Sequence, residues 1–315
     1  MIYLGVDIGG TGIKGALVDS ESGKLLTERI RIETPKPATP EAVAKTLKQL
    51  VEQFDYKGPI GCGFPATVHH GVAYTAANID KTWINTQVEK LFTETLGMPC
   101  YVLNDADAAG IAEIEFGAGK DAKGVVMMVT IGTGLGSAIF VNGHLLPNTE
   151  LGHLILKGDI AEHYCSDLVR HEEDLSWGKW GKRFNQYLQR LEFLFNPDLF
   201  ILGGGASKSF EKFVEKLDVH AKVTPAQNLN TAGIIGAALY AKKLSEQGIE
   251  PNLAEVKVTL EVKPELPEED TAPKKETSKP TEKALENKKE EKKDDKAVKK
   301  SKYKSLFTKK GSFFS

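Results

Sequence analysis

The stretch MIYLGVDIGGTGIKGALVD, residues 1–19, decides how this chain is read. An apolar run at residues 2–8 ends in DIGGTG and a second run follows at 13–18, so the segment reads as two strands joined by a glycine-rich turn. The plan recurs at residues 124–141, where an apolar run ends in TIGTGLG and another continues to Val141. Two such hairpins in similar halves would face each other across a cleft. Glycine lacks a Cβ, so the backbone can take positive φ and present successive N–H groups to an anion at close range. Gly9, Gly10 and Thr11 in the first turn, Lys14 on the strand that follows it, and Gly132, Thr133 and Gly134 in the second turn are therefore candidate phosphate contacts. A plain tight hairpin would use the same glycines and is the competing reading.

A third cluster, GGGASKS at 203–209, follows an apolar run and precedes Phe210, Phe213, Val214 and Leu217 at helical spacing. A strand, glycines and then a helix N-terminus make Gly203, Gly204 and Gly205 a further anion or nucleotide site. No GK[ST] follows, so this is not a Walker loop, and a strand after DIGGTG does not suit the dinucleotide fingerprint. Hydride chemistry is not expected. Elsewhere Thr39 caps a helix that opens at Pro40 and runs to about residue 54. Strands at 60–64 and 100–103 and a helix at about 85–96 continue an alternation that argues for an α/β fold.

Phosphoryl transfer to an alcohol needs a group that orients the hydroxyl. The segment NDADAAGIAE at 104–113 leaves a buried strand and enters an alanine-rich helix. Asn104 and Asp105 thus stand at a strand-to-helix junction, from which a side chain can project into a cleft. Asp105 is read as chemical and Asp107 as the helix cap, although capping would also explain Asp105.

Across 315 residues the net charge is −2, which does not suit a globally basic nucleic-acid binder. Cys62, Cys100 and Cys165 are far apart and odd in number, so neither a disulfide framework nor a metal knuckle follows, and a reduced, cytoplasmic setting is expected. No signal-like start and no run near the roughly 18 apolar residues of a membrane span is found. From about Pro251 the chain turns Lys-, Glu- and Pro-rich, a composition that buries too little to offset its ordering entropy. Its end, KKSKYKSLFTKKGSFFS, mixes lysines with aromatics that could touch an anionic surface or a partner.

Taken together, DIGGTGIKG at 7–15, GFPA at 63–66, NID at 78–80, LNDADAAG at 103–110, TIGTGLGS at 130–137, ELGH at 150–153 and GGG at 203–205 resemble the ROK family of sugar kinases. The resemblance spans residues 1–245 and implies an actin-like, ribonuclease H-like ATPase fold of two lobes with a cleft. The lobes are expected at 1–106, completed by a helix at about 232–245, and at 107–231, with a disordered tail at 248–315. It implies that Asp105 is the general base, that Asn78, Asn104, Glu150 and His153 hold sugar hydroxyls, and that Asp7 faces magnesium through water. The family's zinc site uses a cysteine run that AEHYCS lacks, so no zinc is expected, while Glu162 keeps the sugar contact.

Within the family, GFPATV, AANIDKTWI and DLSWGKWGKRFNQYL look most like the members that phosphorylate glucose from polyphosphate. A polyanionic donor calls for a basic track, which Lys179, Lys182 and Arg183 could supply; the alternative is an amphipathic helix whose cations face solvent. An ATP-dependent hexokinase and a non-catalytic sugar sensor are the other functional readings. The sensor is disfavoured because the chain starts directly on the first phosphate strand and keeps Asn104 and Asp105. The family is commonly dimeric, which implies a homodimer.

Overall fold

The computed structural model describes residues 1–76 and 79–254, so Asn78 and most of the expected tail lie outside the described residues. Two five-stranded sheets carry the fold. The first contains β1 (Ile2–Ile8), β2 (Ile13–Asp19), β3 (Ile30–Ile32), β4 (Ile60–Phe64) and β5 (Cys100–Asn104), in the order β3-β2-β1-β4-β5. The second contains β6 (Val125–Ile131), β7 (Leu135–Val141), β8 (His144–Leu146), β9 (Leu199–Gly203) and β10 (Lys222–Pro225), in the order β8-β7-β6-β9-β10. Strand for strand the order is the same. Each glycine turn closes an antiparallel hairpin, with Ile8 opposite Ile13 and Ile131 opposite Leu135.

Seven helices join these strands among the described residues: α1 (Pro40–Val51), α2 (Val88–Leu96), α3 (Asp105–Phe116), α4 (Glu162–Cys165), α5 (Asp167–Glu172), α6 (Trp177–Phe195) and α7 (Ala232–Glu246). Thr39 caps α1, accepting from the Ala42 amide, and Pro40 is its first residue, as expected. One core lies between the first sheet and α1 and α2, around Leu4, Val6, Leu47 and Phe92; another lies between the second sheet and α6, around Val129, Trp180, Phe184 and Phe213.

The helices α3 and α7 pack on each other, α7 against the first sheet and α3 against β7. Glycine makes that approach possible. A Cβ on Gly236 would overlap the Ala108 carbonyl, and one on Gly61 the Ala237 carbonyl. Two sequence expectations need correction. Asn104, not Asp107, caps α3: its Oδ1 accepts from the Ala106 and Asp107 amides at 2.8 and 3.2 Å, because a cap must stand just before the first helical residue. After β9 the chain does not form a regular helix but short 3₁₀ turns at Ala206–Lys212 and Val214–Lys216, broken at Ser209. Phe213 drives this arrangement by packing edge-on to Trp180 at 4.9 Å and stacking on Trp177 at 5.8 Å.

The chain stays attached past Gly248. Tyr101 Oη donates to the Ile249 carbonyl at 2.9 Å, and the Asn252 amide donates to Glu89 at 2.9 Å. The three cysteines are buried thiols, and no helix among the described residues is long and apolar enough to cross a membrane.

Candidate active site

Asp105 lies on the wall between two cavities. One, about 450 Å³, is lined by Gly9, Gly10, Thr11, Asn104, Gly132, Thr133, Gly134, Glu150, His153 and Glu162. The other, about 390 Å³, is lined by Asp7, Lys14, Arg29, Arg31 and Gly203. Asp105, Thr130 and Gly204 belong to both. Gly205 and the cations Lys179, Lys182 and Arg183 line neither.

The end of β5 sets Asp105. Its partner strand β4 places Phe64 beside Asn104, whose Nδ2 donates to the Ala66 carbonyl at 3.2 Å. With Asn104 fixed as the cap, Asp105 starts α3 and its Oδ1 accepts from the Ala106 amide at 2.8 Å. Burial raises its pKa to about 7, and the Asp7 and Glu150 charges push the same way against the Ala106 amide.

Glu150 is held by its neighbours on both sides. Ser137 Oγ donates to the Thr149 carbonyl at 2.7 Å and accepts from the Leu151 amide at 3.0 Å. Thr67 Oγ1 donates to Glu150 Oε1 at 3.2 Å. Burial raises the Glu150 pKa, with Glu162 adding to it and Thr67 and His153 opposing it. His153 stands between the two glutamates, Nδ1 3.9 Å from Glu150 and Nε2 3.6 Å from Glu162. The imidazole is exposed, which rules out a core role for it. Glu162 is anchored in turn by the Leu135 amide at 3.3 Å, just past the second glycine turn.

On the other side, Asp7 and Lys14 are direct cross-strand partners on β1 and β2, and Lys14 Nζ lies 2.9 Å from Asp7 Oδ2. The α6 cations are placed differently. Lys179 and Lys182 are exposed, while Arg183 pairs with Glu173 at 2.6 Å and sits 5.0 Å over the Tyr164 ring.

Sequence reasoning gave one residue here the wrong role and missed others. Asp107 is buried and its Oδ2 accepts from the Asn148 amide at 2.8 Å, while the Asn148 side chain bonds the Val68 amide and carbonyl. This brace fixes the segment that carries Glu150. Burial raises the Asp107 pKa to about 7, with Asp105 and Glu150 adding to it and the Asn148 amide opposing it. Arg29 and Arg31 were missed as well, although RIRI at 29–32 alternates as a one-sided strand would.

Duplicated five-stranded sheets with glycine turns around a shared carboxylate make this an α/β protein of the actin-like ATPase fold. The ROK family model matches residues 3–168. The chain is 48% identical over 236 residues to the polyphosphate glucokinase of Mycobacterium tuberculosis (strain CDC 1551 / Oshkosh), covering 75% of this chain and 89% of that protein. It resembles the crystal structure of inorganic polyphosphate/ATP-glucomannokinase from Arthrobacter sp. strain KM with a TM-score of 0.74 at 45% identity, covering 77% of this chain and 98% of the other. A ROK family glucokinase from Streptomyces griseus, in complex with glucose and AMPPNP, matches with a TM-score of 0.67 at 26% identity, covering 77% and 100%. The chain belongs to the ROK family.

Proposed function

We propose that this chain phosphorylates glucose to glucose 6-phosphate, with inorganic polyphosphate as donor and ATP as a second donor. The observation that carries the reading is Asp105 on the common wall of two cavities, one rich in hydroxyl-binding groups and the other in cations. The names of the similar proteins support both the sugar and the donors.

In this reading the sugar lies against Asn104, Glu150, His153 and Glu162, with Asn78 joining them. Asp105 accepts the proton of the 6-hydroxyl as its oxygen forms a bond to the terminal phosphorus. The bond from that phosphorus to the bridging oxygen breaks, and the shortened donor leaves with the electron pair. A carboxyl with a pKa near 7 suits this task, since a base works best when its pKa lies near the operating pH. The turns at Gly9, Gly10 and Thr11 and at Gly132, Thr133 and Gly134 cradle the phosphoryl group in flight, helped by Gly203, Gly204 and Gly205.

Magnesium fits this donor set. Asp7 and Asp105 offer hard oxygen atoms to one cavity, yet no group of three or more His, Cys, Asp or Glu among the described residues would hold an ion unaided. The ion would therefore be shared with donor phosphates and held by Asp7, through water. Bound there it would neutralise charge on the transferred group. A cytoplasmic homodimer completes the proposal.

The test is glucose 6-phosphate formation by the purified chain, measured side by side with polyphosphate and with ATP. Product from either donor supports the reading; none from either, with the protein folded, ends it.

A further inference from the structure

Arg29 and Arg31 are two residues apart at edge strand β3, so they share a face, while Ile30 and Ile32 pack toward the first core. Charged residues on an edge strand often serve only to block pairing with another sheet. These two do more. Both line the cavity that ends at Asp7 and Asp105. Arg31 Nη2 donates to the Thr11 carbonyl at 2.6 Å, at the first glycine turn. Arg29 Nη1 donates to the Asn230 carbonyl at 3.2 Å, on the loop before α7. Each guanidinium is thus held by a neutral acceptor, and among the described residues neither has a carboxylate within ion-pair distance. Among the described residues, both guanidinium groups therefore line the cavity without a direct ion pair of their own.

The described lining of this cavity also offers no platform for a base. None of its described lining residues carries an aromatic ring on which a nucleobase could stack. A wall of Lys14, Arg31 and Arg29 suits a chain of phosphates better than a base, because a guanidinium fork takes phosphate oxygens in pairs.

Resting on the phosphotransferase reading above, we infer that Arg31 and Arg29 carry the part of a polyphosphate chain that lies beyond the reacting phosphate. The chain leaves the glycine turns past Lys14, crosses Arg31 and reaches Arg29 beside Asn230. The α6 cations Lys179, Lys182 and Arg183 lie outside this route, and Arg183 is already committed to Glu173.

The test compares tripolyphosphate with polyphosphate of tens of units. In the unaltered enzyme the KM, per chain, should fall as the chain lengthens. In Arg29→Gln/Arg31→Gln the KM for the long chain should rise at least about tenfold more than that for tripolyphosphate, a difference of about 1.4 kcal/mol. Arg29→Lys/Arg31→Lys, which keeps charge without the fork, should recover part of that loss. Titration calorimetry with long-chain polyphosphate should show the same order, with a weaker salt dependence in the Gln variant. Equal effects on short and long donors would overturn the assignment, as would a larger effect from Lys182→Ala/Arg183→Ala. Failure of the unaltered enzyme to form glucose 6-phosphate from any donor would instead remove the reading on which it rests.

Discussion

A base that works at neutral pH must be able both to take and to release its proton there, and Asp105 is placed for this by burial and by carboxylates on either side. Replacing it with Asn keeps the size and the Ala106 contact but removes the base. Turnover should fall by about 10²–10⁴-fold, with glucose affinity within about threefold. Near-parental turnover would move the base elsewhere. In the parent, kcat/KM should rise as pH rises through about 7 and level off above it. The same shift bears on stability. The folded protein keeps this proton between the ordinary value of 3.8 and about 7, where the unfolded chain has lost it, so stability falls as pH rises through that window. Asp105→Asn should therefore melt higher than the parent at pH 8, by about 2–4 °C for each kcal/mol regained, with the gap closing toward pH 4. A parent that melts as high as the variant at pH 8 would contradict the raised value.

At the scale of elements, the pair α3 and α7 ties the two sheets together, and the contacts of α7 with α3 and with the first sheet both depend on missing Cβ atoms. Gly61→Ala should cost about 2–3 kcal/mol, read as a fall in denaturant midpoint, because the added methyl meets the Ala237 backbone. Gly178→Ala on α6 is the contrast. Its nearest neighbour is the far end of Lys216 at 3.8 Å, so the gain in helix propensity should leave stability unchanged or raised by up to about 1 kcal/mol. Equal losses would mean that helix packing does not set the Gly61 effect. These elements also show what could be read in advance. The two glycine hairpins and the Thr39 cap were legible because each is a local pattern with a physical cause. The 3₁₀ turns after Gly203 were not, since Phe213 packs on two tryptophans that the chain reaches only by folding. Arg29 and Arg31 went unread because a three-residue edge strand is too short a pattern to stand out.

The whole molecule adds contacts between distant parts of the sequence, which is where sequence reading was weakest. The repeat of hairpins pointed to two matching halves, and the two sheets do share one strand order. The cluster of Glu150, His153 and Glu162 was assembled by resemblance, whereas the Asp107–Asn148 brace that fixes it had no local signal at all. The end of the fold illustrates the same limit. Composition put the boundary near residue 248, yet Glu89, buried beneath the first sheet, accepts from the Val102 amide at 3.0 Å and the Asn252 amide at 2.9 Å. Burial raises the Glu89 pKa, and both amides oppose that rise, so each donor matters to the ionised form. Two shortened chains separate these readings. One ending at residue 254 keeps both amides and the Tyr101–Ile249 bond, while one ending at residue 247 keeps only the Val102 donor. Loss of a hydrogen bond to a buried charged group costs about 1.5–3 kcal/mol, so the shorter chain should have the lower urea midpoint. The gap should narrow as pH falls and Glu89 is protonated in both. If the two unfold at the same midpoint at pH 8, residues 248–254 contribute nothing and the fold ends with α7.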